Sequence, residues 1–280
     1  MTAPAVNVAA WAHPRVRLGL ALVFTVLVAG VAAPWLSPYD PIAQLDVIAA
    51  KNLPPSPAHP FGTDVLSRDL LSRVAHGVRV SMSVALFSVA LSLTVGVGVG
   101  LIAGYAGGAL DALLMRLVDM LMAIPRILVP IVVLALWTRV GVGTLILILG
   151  LTSWFEVSRR VRAEVLSLRE RDYLRAARAL GVPTAAVLLR HILPNVAAPI
   201  AVAGALGVGN MILLEAGLSF LGMGVPPPTP SLGNIISEGR DLLPVAPWIS
   251  LIPGAVVVLI VVAFMTLGDG LRDALDPRAQ

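Results

Sequence analysis

The chain has 280 residues, of which 58% are hydrophobic and 13% are charged, and its mean hydropathy is +0.90. Soluble domains average about 25% charged residues, so this composition predicts a membrane protein. The formal net charge is +4, but the arginines lie between apolar segments. That placement favours membrane topology over nucleic-acid binding, and we expect no nucleic-acid partner.

The residue types that are missing exclude several kinds of active site. The chain has no cysteine, so a disulfide framework, a thiolate nucleophile and a cysteine metal site are excluded. Lys51 is the only lysine, and no glycine-rich loop precedes it. A phosphate-binding loop of the Walker type needs a lysine after such a loop. We therefore expect no catalytic residue, no metal and no cofactor in this chain.

Six apolar segments are long enough, or nearly so, to cross a membrane, which takes about 20 helical residues. They are residues 18–36, 80–106, 117–137, 140–155, 196–223 and 245–267. Backbone groups in lipid must be satisfied within the segment, so the prediction is an all-α polytopic protein with six transmembrane helices. The first segment is expected to be a retained anchor, because it is long for a cleaved signal and Pro34 disfavours cleavage.

The distribution of arginine predicts the topology. Eight arginines lie in the loop 158–195, which places that loop in the cytoplasm. Six spans then put both termini, residues 1–17 and 271–280, on the cytoplasmic side as well. The segments 37–79 and 224–244 are expected on the extracytoplasmic side. They are proline-rich, which predicts irregular loops rather than helices. The five-helix core is expected over residues 80–270.

Residues 61–77 (FGTDVLSRDLLSRVAHG) predict an amphipathic helix on the outer membrane surface. Thr63 or Asp64 is the expected cap, and the apolar face is built from Leu66, Leu70 and Val74. A docking site for an outside partner is the alternative interpretation.

A row of glycines at every fourth position runs through the second span. Its members are Gly96, Gly100, Gly104 and Gly108. Such a row lets another helix approach closely, and we expect it to pack against a helix of this chain or of a second subunit.

Residues 172–195 (DYLRAARALGVPTAAVLLRHILPN) form a basic, helix-like insert between the fourth and fifth spans. Its first half carries a small apolar face at helical spacing. The members of that face are Tyr173, Ala176, Ala177 and Leu180. A two-turn helix is unstable alone in water, so this face must pack against this chain's own helix ends or against another protein.

The middle of the insert predicts a sharp turn. Gly181 followed by Pro183 is typical of a helix end. Thr184 predicts the cap of a second helix over residues 185–193. The insert is therefore expected to be a helical hairpin that projects into the cytoplasm.

The motif ARALG…RHILPN resembles the cytoplasmic "EAA" loop in the membrane subunits of binding-protein-dependent ABC importers. The positions that match are Ala176, Ala177, Gly181, Ile192, Leu193 and Pro194. Arg175 stands at the glutamate position of that motif, so a salt bridge made by that glutamate is not carried over.

Four further segments resemble the dipeptide, oligopeptide and nickel branch of these permeases, and most closely the C-type peptide permease. They are residues 59–73, 117–125, 215–236 and 267–278. Ser67 departs from the usual glycine and Leu232 from the usual tryptophan. The resemblance implies the type I ABC importer permease fold in a bacterial cytoplasmic (inner) membrane.

The resemblance also implies a role for the insert as a coupling helix that docks on a cytoplasmic ATPase. The residues expected at that contact are Tyr173, Arg175, Ala176, Ala177, Arg178, Leu180, Gly181, Ile192, Leu193 and Pro194. The implied partners are a B-type permease subunit, two ATPase subunits or domains that hold ATP and Mg, and an extracytoplasmic solute-binding protein.

Three charged residues lie at predicted membrane depth: Asp119, Arg126 and Glu215. Such charges are costly in lipid and usually face protein or water, so a path for peptides with charged termini is one interpretation. Pairing of Asp119 with Arg116, and packing of Glu215 near its helix end, are the structural alternatives. A proton-coupled carrier that uses Asp119 and Glu215 and a non-transporting scaffold are the competing functions.

Overall fold

The computed structural model describes residues 13–137 and 140–275, and within those ranges every regular element is a helix. The helices are α1 (Pro14–Val31), α2 (Ala33–Leu36), α3 (Leu70–Ala106), α4 (Gly108–Met122), α5 (Leu128–Ala135), α6 (Val142–Leu151), α7 (Phe155–Arg169), α8 (Asp172–Ala179), α9 (Thr184–Ala186), α10 (Leu193–Phe220), α11 (Leu232–Gly239) and α12 (Trp248–Leu275). A π-helical turn, Val187–Ile192, joins α9 to α10, and a short 3-10 turn, Arg240–Leu242, follows α11. The all-α prediction is confirmed.

The number of continuous spans differs from six. In the described part of the chain four helices are long and apolar enough to cross a membrane: α1, α3, the continuous stretch Thr184–Phe220, and α12. A fifth span is formed only if α6 and α7, which are bent by 40° at residues 152–154, are taken together. The predicted fourth segment thus covers α6 and the start of α7.

The third predicted span, over residues 117–137, is wrong as a single helix. Helix α4 ends at Met122 and α5 begins at Leu128, with Pro125 and Arg126 in the break. Proline removes a backbone donor and disfavours helical geometry in the residue before it, which accounts for the interruption.

The second helix of the insert does not stop at residue 193 as predicted. It continues through the π-helical turn and α10, so Thr184–Phe220 is one helical rod. Pro194 lies in the first turn of α10, directly after the wider π-helical turn. That turn accommodates a residue that cannot donate a backbone hydrogen bond.

Helices α3 and α7 pack with their backbones in close approach. A Cβ atom built on Gly100 would lie 2.6 Å from the carbonyl oxygen of Ser158. One on Gly96 would lie 2.7 Å from Cβ of Val157, and one on Gly104 2.7 Å from Cβ of Val165. The glycine row is therefore an internal contact of this chain.

Gly108 does not belong to that row. It starts α4, has a φ of +59°, and a Cβ atom on it would meet nothing within 4 Å. Gly107 (φ +64°) ends α3 just before it, so the regular spacing of the row stops where the chain turns from α3 into α4.

The predicted amphipathic surface helix over residues 61–77 is wrong. Residues 63–69 form a turn, and α3 begins at Leu70 with Asp69 as its cap, where the Asp69 carboxylate accepts from the N–H of Ser72 at 2.8 Å. Arg68 and Arg73, which the pattern placed on a solvent face, are buried, whereas Leu66 is exposed.

A buried ion cluster explains this inversion. Arg68 Nε donates to Asp64 Oδ2 at 2.6 Å, and Arg68 Nη2 donates to Glu238 Oε2 at 2.7 Å. Arg73 Nη1 also donates to both carboxylates. Two positive and two negative charges thus compensate one another, as buried charges require.

Glu238 lies on α11, a helix inside the outer segment 224–244, which the proline content had predicted to be irregular. Ser231 and Asn234 form a capping box at its start, with the Ser231 N–H donating to Asn234 Oδ1 at 2.9 Å. The ion cluster therefore joins the two outer segments to each other.

We expect Gly100→Ala to lower the free energy of unfolding by about 1–3 kcal/mol, because the new methyl group overlaps the backbone of α7. Gly98→Ala is the matched control on the same helix, since a Cβ atom there meets nothing within 4 Å. It should be neutral or stabilising by up to about 1 kcal/mol. Thermal unfolding of both variants in detergent measures the difference, and equal losses would contradict the close α3–α7 contact.

Replacing Arg73 by Met should destabilise the protein by about 3–5 kcal/mol, because it leaves buried carboxylates with one cation fewer. Arg79→Met is the control: Arg79 lies on the same helix and is exposed. Its replacement should change stability by no more than about 0.5 kcal/mol. A chemical-denaturation series in detergent distinguishes the two, and similar midpoints for the variants would show that the cluster does not stabilise the fold.

Candidate functional site

The insert is a helical hairpin that is anchored to its own chain through Leu174. That side chain is fully buried and packs in an apolar cluster. The other buried members of the cluster are Leu101, Val161, Val165, Leu168, Val187, Ile192 and Val196. Because α3, α7 and the Thr184–Phe220 rod all contribute to it, the hairpin is held against three membrane helices at once.

The turn of the hairpin follows the predicted glycine. Gly181 has a φ of +76°, a conformation that other residues adopt only with strain. The N–H of Val182 donates to the carbonyl of Ala177 at 3.1 Å, and that of Gly181 to Arg178 at 2.9 Å. This is the Schellman pattern of a helix end. The predicted side-chain cap at Thr184 is wrong, because Pro183 holds the cap position without a side-chain hydrogen bond.

The opposite side of α8 faces solvent. Leu180 is 83% exposed and Tyr173 41% exposed, and Ala176 is exposed beside them. Ala177 is partly buried, since it lies nearer the internal face. Helical spacing in the sequence identified the outward face of α8 but missed Leu174. Leu174 lies three residues before Ala177, and this i, i+3 spacing indicates a second, inward face.

Further contacts fix the charged residues of the hairpin. Arg175 Nη2 donates to Glu170 Oε2 at 2.8 Å, and this guanidinium holds the pKa of the Glu170 carboxyl below its ordinary value. The Arg178 guanidinium lies over the ring of Tyr105, 4.9 Å from its centroid. Arg175 is thus occupied within this chain by an acid outside the EAA-like motif, at an exposed pair that contributes little to stability.

The end of the EAA-like motif lies partly inside the protein. Ile192 is fully buried in the cluster around Leu174, and Leu193 is partly buried. Among these three residues only Pro194 is exposed.

A groove lined by charged residues runs along one face of α7. It consists of neighbouring cavities that share side chains, the largest being about 470 Å³. Glu156, Arg160 and Glu164 line it at intervals of four residues. Arg126 lines the groove at one end and Arg272 at the other.

The three charges predicted at membrane depth do not come together. Arg126 lies in the break between α4 and α5 and lines the groove beside Ser153 and Glu156. Asp119 is about half exposed and pairs with Arg159 at 3.3 Å. Its predicted pairing with Arg116 is therefore wrong: the carboxylate pairs with α7 across the helix contact.

Glu215 is buried and does not line the groove. Its carboxylate accepts hydrogen bonds from the hydroxyl groups of Ser219 (2.8 Å), Ser81 (3.0 Å) and Ser231 (3.0 Å). These hydroxyls belong to α10, α3 and the cap of α11, so the carboxylate joins three elements. Such fully bonded buried groups give a structure its specific arrangement.

Among residues 13–137 and 140–275, no three His, Asp or Glu side chains are grouped as metal ligands.

Comparison with known proteins matches residues 96–280 to the family described as "Binding-protein-dependent transport system inner membrane component". The chain is 39% identical to the dipeptide transport system permease protein DppC of Haemophilus influenzae, over 93% of this chain and 90% of that protein. It is 37% identical to the oligopeptide transport system permease protein OppC of Bacillus subtilis, over 93% of this chain and 85% of that protein. The family match includes the hairpin and the charged residues of the groove.

Truncation of the buried hairpin anchor, Leu174→Ala, should loosen α8 by about 2–5 kcal/mol, because it leaves a cavity among the residues that hold it. Leu180→Ala, at the exposed position on the same helix, should leave the hairpin unchanged. Hydrogen exchange over residues 172–183 measures the opening directly. Equal exchange in both variants would mean that the cluster does not anchor the hairpin.

Proposed function

Because the chain belongs to the family of binding-protein-dependent transport system inner membrane components, we propose that it is the permease subunit of an ATP-driven importer of peptides. Two relatives that match nearly along their whole length are named for dipeptide and oligopeptide transport, which supports peptides as the cargo. The chain itself then forms one half of the translocation path.

The exposed face of α8 is the observation that carries the coupling role. A short helix in water needs a tertiary contact, and Leu174 supplies one on the inner side only. On the outer side Tyr173, Ala176 and Leu180 remain exposed beside a sharp glycine turn. A small, rigid apolar face of this kind fits a cleft on an ATPase subunit, with Leu180 as its central anchor.

The proposed assembly has a B-type permease subunit as the second half of the path, two ATPase subunits or domains, and a solute-binding protein on the outside. ATP and Mg belong to the ATPase partners. The arginine-rich segment around α7 and α8 supports a cytoplasmic location for the hairpin, and the same rule favours a cytoplasmic location for both termini. The proline-rich outer segments, joined by the Arg73–Glu238 pair, then face the binding protein.

Coupling requires that the ATPase make different contacts with two states of the membrane helices. The hairpin meets this need through its shared cluster, which includes Val161 and Val165 of α7 and Leu101 of α3. A displacement of α8 therefore moves the helix that carries the charged groove. Arg175 is paired with Glu170, so Arg178 is the residue that adds positive charge to the docking face, which favours an acidic rim on the ATPase.

No observation favours a proton-coupled carrier. Its two required carboxylates lie apart, because Asp119 pairs with Arg159 in an exposed contact and Glu215 is enclosed by three serine hydroxyls. A scaffold without transport does not account for the charged groove.

Affinity purification of the tagged chain from its own cells tests the proposal. We expect an ATPase subunit and a second permease subunit to co-purify, and hydrolysis of ATP to be stimulated by the binding protein with its peptide. An isolated chain, or transport that collapses with the proton gradient at constant ATP, would refute it.

Leu180→Ala should weaken ATPase association about tenfold or more, because hot-spot truncations cost about 2 kcal/mol or above. Leu243→Ala, an exposed leucine on the proposed outer side, is the matched control and should have no effect. Pull-down titration with the purified ATPase measures both affinities. The docking assignment fails if Leu180→Ala binds as tightly as the control.

A further inference from the structure

The two charged faces of α7 differ in how their charges are satisfied. On one face Arg162 pairs with Asp111 at 2.6 Å and Arg159 with Asp119 at 3.3 Å. On the groove face, Glu156, Arg160 and Glu164 make no ion pair with any group in the described part of the chain. All three side chains are exposed and line the groove, so they are open to a charged ligand.

One cavity of the groove brings together polar residues from several parts of the fold. Glu156 and Arg160 of α7 line it together with Asn210 of α10 and with Arg126 and Ser153, which lie in breaks between helices. The Oγ atom of Ser153 is buried and has no hydrogen-bond partner there. With Ser92, the cavity thus has one carboxylate, two guanidinium groups and three neutral polar side chains in its lining.

We propose that this cavity binds the charged main-chain termini of a short peptide, with Arg160 and Arg126 pairing with its α-carboxylate and Glu156 with its α-ammonium group. This inference rests on the proposed permease function and adds which chemical groups of the peptide the translocation path recognises. The side chains of the peptide make none of these contacts, so the site accepts peptides of different sequence.

The spacing of the charges fits such a ligand. Residues four apart on a helix are separated by a rise of about 6 Å. Two residues of extended peptide span about 7 Å, so one dipeptide places its opposite charges beside Glu156 and Arg160. The guanidinium group forms paired hydrogen bonds with a carboxylate, which favours arginine over a simple point charge at this position.

Thiol labelling tests the site directly, because the chain contains no cysteine. Asn210→Cys introduces one thiol into the cavity of the complex purified with its partner subunits. We expect millimolar dialanine to slow its labelling by a water-soluble thiosulfonate at least threefold, as a bound ligand does when it occupies most of the sites. Dialanine with an acetylated amino group and an amidated carboxyl group should give no protection.

Two further variants complete the design. Arg160→Gln in the Asn210→Cys background should abolish the protection by dialanine, while Arg159→Gln, its neighbour on the other face, should preserve it. Ala163→Cys, exposed on α7 but outside the cavity lining, should label at one rate with or without peptide.

Equal protection by dialanine and its capped form, protection that survives Arg160→Gln, or no protection by dialanine would overturn the assignment. These results are separate from the test of the proposed function. That test depends on co-purification of an ATPase subunit and on stimulation of its ATP hydrolysis by the binding protein.

Discussion

The close approach of α3 and α7 at Gly96, Gly100 and Gly104 determines the position of both candidate sites. Because α3 has no side chain at these three positions, Val157, Val161 and Val165 of α7 pack directly against its backbone. One edge of α7 then faces the charged groove, and its C-terminal half joins the cluster that anchors the hairpin. Any movement of α7 relative to α3 must therefore move the groove and the hairpin together.

Patterns of apolar residues predicted the long helices well, because a membrane span is set by local composition. They failed where a distant residue decides the structure. Arg68 and Arg73 follow the pattern of a solvent face, yet both are buried because they pair with Glu238, which lies far along the chain. Leu174 likewise has no special position in the motif, and its burial depends on α3 and α10 meeting at one place. Pro125 carried a readable signal, since a proline within an apolar run predicts a break in the helix.

The candidate functional residues divide in the same way. The glycine turn and the exposed face of α8 follow from local spacing, so the sequence predicts them. The groove on α7 is not predicted by local spacing, because Arg160 and Glu164 lie in the arginine-rich loop 158–195, whose charges indicate membrane topology. Only the packing of α7 against α4 and α10 shows which arginines pair with a carboxylate and which line the groove. Glu215 is the opposite case. Its position in an apolar segment suggests a role in transport, but its carboxylate is buried and accepts hydrogen bonds from three serine hydroxyl groups.

The unbroken helix Thr184–Phe220 has a mechanical consequence. It begins at the hairpin turn and ends beyond Glu215, whose carboxylate bonds to the cap of α11 on the other side of the molecule. At about 1.5 Å per residue its length is about 55 Å. Such a rod acts as a lever: a tilt of about 5° displaces its far end by about 5 Å over that length. A push on the hairpin thus reaches the outer segments through a single helix, without a loop in which the displacement is lost.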